Sequence, residues 1–162
     1  MTALHQLFGG ELPRLVMFDL DGTLLDSVPD LAAAIDRMLA QLGRPPAGEA
    51  RVRDWVGNGS KVLVRRALAN DLDYNAISEE QAAPAHQLFL TAYADCHALS
   101  TVYPGVRECL DWLQARAVPL ALVTNKPTQF VGPLLAEKGL DGYFRWVLGG
   151  DSLPVQKPDP AA

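Results

Sequence analysis

Two carboxylates, Asp19 and Asp21, follow the apolar run Leu15-Val16-Met17-Phe18 at once and are followed at once by Gly22 and Thr23. The run has the length and composition of a buried parallel strand. Glycine lets the chain leave such a strand in a tight loop. An acidic pair at a strand end can hold a hard divalent cation through oxygen and still leave one carboxylate as a nucleophile. Far along the chain, Thr124 and Asn125 close a second apolar run, Pro119-Leu120-Ala121-Leu122-Val123, and Lys157 lies beyond a third, Trp146-Val147-Leu148. A nucleophile, donors for equatorial oxygens and a cation against developing charge are what phosphoryl transfer requires.

The elements that must position these groups can be read from the spacing. Asp26-Ser27-Val28-Pro29-Asp30 reads as a helix start, with Ser27 as cap and Asp30 in capping-box position. Leu31, Ala34, Ile35, Met38, Leu39 and Leu42 give that helix one apolar face, and Gly43 with Pro45-Pro46 stops it. A short helix is expected over 49–56, and another from Ser60, which can cap it, through Leu68. Ser78-Glu79-Glu80-Gln81 is a capping box opening a helix to about Leu99, with Ala85, Leu88, Phe89, Ala92 and Cys96 inward. Residues 27–99 are thus an all-helical insert. From Tyr103 onward, helix and strand alternate: a helix after Pro104-Gly105, the strand 119–123, a helix 128–138 ended by Gly139, and the strand 146–148. That cadence predicts an α/β fold, a Rossmann-like parallel sheet built from residues 12–26 and 100–162. In such sheets ligands bind beyond the carboxyl ends of the strands, where the acidic pair, Thr124 and Lys157 fall.

Composition narrows the function. The 162 residues are 49% hydrophobic and 20% charged, enough to bury a real core and unlike a disordered chain. A net charge of −5, with no run of Lys or Arg, disfavours nucleic-acid binding. No apolar run approaches membrane-spanning length, and residues 1–11 lack the pattern of a signal peptide, so the expected location is the cytoplasm. Cys96 and Cys109 are expected as reduced core thiols, and His5, His86 and His97 as structural residues.

At Phe-Asp-Leu-Asp-Gly-Thr-Leu-Leu-Asp-Ser, Val-Thr-Asn-Lys-Pro and Lys-Pro-Asp-Pro the sequence resembles the haloacid dehalogenase superfamily, in chain order and strand context. The resemblance implies that Asp19 forms an aspartyl-phosphate and that Asp21 serves as general acid and then base. It implies that Thr124, Asn125 and Lys157 bind the phosphate. It also implies Mg2+ as cofactor, held by a carboxylate oxygen of Asp19 and the backbone carbonyl of Asp21. The helical insert matches the superfamily's small cap, which closes over the site and excludes water. Trp-Val-Gly-Asn-Gly, with Arg-Arg-Ala-Leu after it, and Tyr-Pro-Gly-Val bring the resemblance nearest to the superfamily's bacterial phosphoglycolate phosphatases. A small phosphorylated metabolite, foremost 2-phosphoglycolate, is then the expected substrate. Asn58, Lys61 and Arg65 are the cap residues expected to meet it, with Arg66 a further candidate for a substrate carboxylate. Gly57-Asn58-Gly59 serves equally well as a simple turn between helices.

The superfamily's fourth motif, an acidic cluster that completes the metal site, follows the lysine. Here only Pro158 to Ala162 follow Lys157, so the expectation is a sequence that stops short of that motif. Gly150-Asp151-Ser152 resembles its beginning but precedes Lys157, and Asp151 is expected to be a loop residue. Asp21 argues against a dehalogenase, whose leaving group needs no acid. Sugar-phosphate phosphatases, a sugar phosphomutase and a non-catalytic phosphate-binding protein keep the same motifs and stay open.

Overall fold

The computed structural model describes Gln6 and residues 9–160; His5, Ala161 and Ala162 lie outside the described residues. Strands β1 (Val16–Phe18), β4 (Leu120–Val123) and β5 (Trp146–Leu148) form a parallel sheet in the order β1-β4-β5. Phe18 is in register with Leu122, and Leu122 with Val147, so Asp19, Thr124 and Gly149 leave the sheet at the same end. Helices α5 (Val106–Gln114) and α6 (Thr128–Glu137) are the crossovers, and their Leu110, Leu113, Val131, Leu134 and Leu135 pack with Leu120 and Leu122. This is the α/β fold with a parallel sheet that the alternation predicts. The expectation of a fully buried first strand fails. The first strand is not buried on both faces: Val16 and Phe18 pack against the core, whereas Met17 is 68% exposed. Among the described residues β1 is an outer strand with a hydrogen-bonded neighbour on one side only, and Trp146, on the same face of the sheet, is also uncovered at 46%.

The insert is helical as expected, with α1 (Val28–Gln41), α2 (Glu49–Trp55), α3 (Ser60–Ala69) and α4 (Glu79–Ala94). Its apolar faces meet in a second core, where Ile35, Met38, Val52, Val64, Phe89 and Tyr93 are buried together. The α4 capping box forms as read, Ser78 and Gln81 each bonding the other's backbone N–H. The other two capping expectations are corrected. Ser27 makes no side-chain cap on α1; its hydroxyl donates to Asp21 Oδ1 at 2.5 Å. Ser60 is the first residue of α3 rather than its cap, and its Oγ meets His86 Nε2 at 2.8 Å. Asp30 is 1% exposed and faces the far end of the insert, accepting from Leu99 N at 3.0 Å, from Ser100 N at 2.7 Å and from the Ser100 hydroxyl. Those bonds hold Leu99 and Ser100 against α1, and α4 stops at Ala94, short of Leu99.

Where the chain enters and leaves the insert, β2 (Leu25–Asp26) pairs antiparallel with β3 (Thr101–Val102), a ribbon not anticipated from the sequence. Two-residue strands carry no periodicity to detect. Cys96 is buried as expected, but Cys109 is exposed on α5, since Leu110 and Leu113 define the buried face of that helix. No described helix is long and apolar enough to cross a membrane.

Candidate active site

The parallel register brings the predicted residues to one cleft, lined on the sheet side by Asp19, Asp21, Thr124, Asn125, Lys126 and Lys157. Leu31, Val56, Gly57, Gly59, Ser60, Leu63, Phe89 and Tyr93 of the helical part line the opposite wall.

Asp19 stands at the end of β1, and Lys157 Nζ donates to its Oδ1 at 2.8 Å and to the carbonyl of Val123 at 2.6 Å. The lysine comes from a loop and needs a clamp. Asn125 supplies it: its Oδ1 accepts from Lys157 N at 3.1 Å and its Nδ2 donates to Lys157 O at 3.0 Å. The same Nδ2 reaches Gly57 O in the helical part at 3.4 Å. Asn125 was expected as a phosphate donor; its amide is instead spent on holding the lysine's backbone and touching the opposite wall. Thr124 is buried, and its Oγ1 accepts from Lys126 N at 3.1 Å, which leaves the hydroxyl proton to donate.

Asp21 is held from two sides, by Ser27 at 2.5 Å and by Lys126 Nζ at 2.9 Å, both on Oδ1. Lys126 adds a cation that the motifs do not announce. It is 4% exposed, and its ammonium lies 4.8 Å from the centre of the Tyr93 ring. Burial alone would push that ammonium down, but the Asp21 carboxylate and Tyr93 outweigh it and hold the group above the ordinary lysine range. Burial raises the Tyr93 phenol, whose hydroxyl sits beside the Lys126 ammonium without a well-aligned hydrogen bond among the described residues. A sequence signal existed. A lysine two residues beyond a buried strand, on the strand-end side of the sheet, is placed to enter the site, but the same position also suits a solvated loop lysine.

The neighbouring loops fix this geometry by close approach. A Cβ on Gly150 would lie 2.7 Å from the carbonyl carbon of Asn125, so the 149–151 loop can pack on the Thr124–Thr128 turn only without a side chain there. Asp151 accepts from Thr128 N at 2.8 Å and from the Thr128 hydroxyl, and these bonds hold its carboxyl below the usual range. It caps α6 and does not line the cleft, in keeping with its reading as a loop residue. The candidate residues of the helical insert fall elsewhere. Arg65 donates to Ile77 O at 2.9 Å and pairs with Glu79, Arg66 donates to Trp55 O at 2.6 Å, and Lys61 lines other grooves. Asn58 is exposed, although Gly57 and Gly59 on either side line the cleft.

Among the described residues no group of three His, Cys, Asp or Glu could hold a metal ion. With Oδ1 of both acids engaged, the free acceptors of the pair are Asp19 Oδ2, Asp21 Oδ2 and the Asp21 backbone carbonyl. A carboxylate oxygen of Asp19 and the Asp21 carbonyl suit a hard divalent cation that keeps most of its water.

The chain is 61% identical to the phosphoglycolate phosphatase of Pseudomonas putida over 162 residues, which is all of this chain and 60% of that protein. The same figures hold for phosphoglycolate phosphatase 1 of Pseudomonas aeruginosa. The chain therefore spans about 60% of the length of these curated relatives. A crystal structure described as a predicted phosphoglycolate phosphatase from Haemophilus somnus superposes with a TM-score of 0.80 at 41% identity, covering 91% of this chain and 67% of that one. The family model for haloacid dehalogenase-like hydrolases matches residues 13–162, and the chain belongs to that family.

Proposed function

We propose that this chain carries the nucleophile, acid and phosphate-binding groups of a magnesium-dependent phosphatase acting on a small phosphorylated metabolite, foremost 2-phosphoglycolate. The observation that carries this reading is the paired arrangement in one cleft: Asp19 with Lys157 at 2.8 Å, and Asp21 with Lys126 at 2.9 Å. Its support on the substrate comes from relatives named phosphoglycolate phosphatase.

Asp19 Oδ2 attacks phosphorus while Lys157, on Oδ1, neutralises charge and fixes the carboxylate's rotation. The bond from phosphorus to the ester oxygen breaks, and Asp21 gives that oxygen its proton, releasing glycolate and leaving aspartyl-phosphate at Asp19. Water then attacks the phosphorus, Asp21 takes its proton, and phosphate leaves with Asp19 restored. The Thr124 hydroxyl and the Asn125 backbone N–H serve the equatorial oxygens. A bound Mg2+ would be held by Asp19 and the Asp21 carbonyl and would offset phosphate charge. Residues 27–99 act as the cap over a core of 12–26 and 100–162, and their apolar wall excludes water.

A phosphate-release assay with magnesium across 2-phosphoglycolate, other phosphorylated acids and sugar phosphates tests the reading. It is run on a polypeptide extended to the full length of the relatives. Preferred hydrolysis of 2-phosphoglycolate is expected. Phosphate moved between sugar hydroxyls without net release would point to a mutase, and binding without turnover to a non-catalytic protein; either overturns it.

A further inference from the structure

We propose that Lys126, together with the hydroxyl of Tyr93, is the subsite that recognises the substrate's carboxylate, and so selects short phosphorylated acids over phosphorylated sugars and alcohols. This rests on the phosphatase reading above for the position of the phosphate, but not on turnover.

The cleft contains two cations, Lys157 and Lys126. Lys157 is committed to Asp19 and to the Val123 carbonyl, at the phosphate end. Lys126 stands at Asp21, and its remaining neighbour is the face of Tyr93 rather than a second acid. An ammonium carries three donors, so one bond to Asp21 leaves capacity for a ligand. Tyr93 adds a buried hydroxyl beside that ammonium, with no well-aligned hydrogen bond of its own among the described residues; an ammonium accepts nothing, so the phenol's proton stays free to donate. A carboxylate can accept from both.

The arginines expected to do this work are occupied: Arg65 with Ile77 and Glu79, Arg66 with Trp55. Neither lines the cleft, whose opposite wall carries Leu31, Val56, Leu63 and Phe89. That wall offers Ser60 as its polar side chain besides Tyr93, and Ser60 already meets His86 at 2.8 Å. A sugar's ring of hydroxyls would be left unpaired against such a surface, which costs affinity. A two-carbon acid needs one cation and one donor, and those are present.

The test uses unreactive ligands, so that it reads binding alone. With magnesium present, calorimetry compares 3-phosphonopropionate, the carbon isostere of 2-phosphoglycolate, with propylphosphonate, which lacks the carboxylate. The protein is the extended polypeptide, wild type and with Lys126→Met or Tyr93→Phe. Wild type should bind the carboxylate ligand more tightly. Lys126→Met should weaken it about 10- to 100-fold, the range for a charge-assisted hydrogen bond, and Tyr93→Phe several-fold, with propylphosphonate changed far less in both. Tyr93→Phe removes one oxygen and keeps the core packed, so it reads the subsite even if Lys126→Met fails to fold. Equal weakening of both ligands, or no wild-type preference for the carboxylate, overturns the proposal. Carboxylate-selective binding without hydrolysis of 2-phosphoglycolate would uphold the subsite while overturning the phosphatase reading.

Discussion

Replacing Asp30 with alanine should loosen the insert from the sheet, because one buried carboxylate ties the chain's exit from the insert to its entrance. Asp30 accepts from Ser100 N at 2.7 Å, from the Ser100 hydroxyl and from Leu99 N at 3.0 Å. Hydrogen bonds to a charged group contribute about 1.5–3 kcal/mol each. Ser100 is buried, so its two donors would stay dry after the change and set a gross loss of about 3–6 kcal/mol. Leu99 is 56% exposed, and its N–H can turn to water at little cost. Removing the carboxylate also returns part of the energy spent in drying it, which brings the net loss to about 2–4 kcal/mol. That is a large share of the roughly 5–15 kcal/mol that keeps a domain folded. Asp30→Asn keeps the shape and one acceptor, and should cost about 1–3 kcal/mol. Urea unfolding followed by circular dichroism, in a cycle with Ser100→Ala, would measure both. A loss below about 0.5 kcal/mol for Asp30→Ala, additive with Ser100→Ala, would refute the reasoning.

Asp21→Asn keeps the backbone carbonyl but removes the proton donor, so 2-phosphoglycolate should lose roughly 10²–10⁴ in the phosphorylation step, and an ester with a good leaving group much less. Equal losses in single-turnover kinetics would count against the acid role. His86 is held below its ordinary value of 6.5 by burial and then by Lys61. The unfolded chain therefore binds the proton more readily, and stability, intact above pH 6.5, falls as the pH drops below it. His86→Gln should flatten the slope of melting temperature against pH over that window; an unchanged slope would place its origin elsewhere. The 162-residue chain by itself should self-associate through the sheet face that exposes Met17 and Trp146. Lysines at both positions should reduce light scattering, and a monodisperse monomer of the unaltered chain would contradict this.

The strands were legible because each is a short apolar run with a breaker at its end, and parallel pairing then forced Asp19 and Thr124 to one side. Register did the rest for Lys157, but only together with the Asn125 clamp, which is a contact between residues 32 apart and leaves no local trace. Ser27 and Asp30 were misread for a related reason. Both have the residue types of a capping box, and both serve partners outside the helix: Asp21, six residues back, for the serine, and the distant Leu99 and Ser100 for the acid. Local propensity cannot rank a cap against a tertiary bond of greater energy. Lys126 escaped notice because burial decides its role, and burial of one lysine depends on Tyr93 arriving from α4. Charge alone pointed to the arginines of the helical part; Arg65 is taken by the Ile77 carbonyl and Glu79, and Arg66 by the Trp55 carbonyl.

The central claim is that Asp19 takes the phosphoryl group. The extended polypeptide, mixed with substrate carrying labelled phosphate and quenched in acid within a turnover, should hold the label on the peptide that contains Asp19. Asp19→Asn should fold normally and hold none. Label on another residue, or phosphate released at the normal rate from Asp19→Asn, would contradict it.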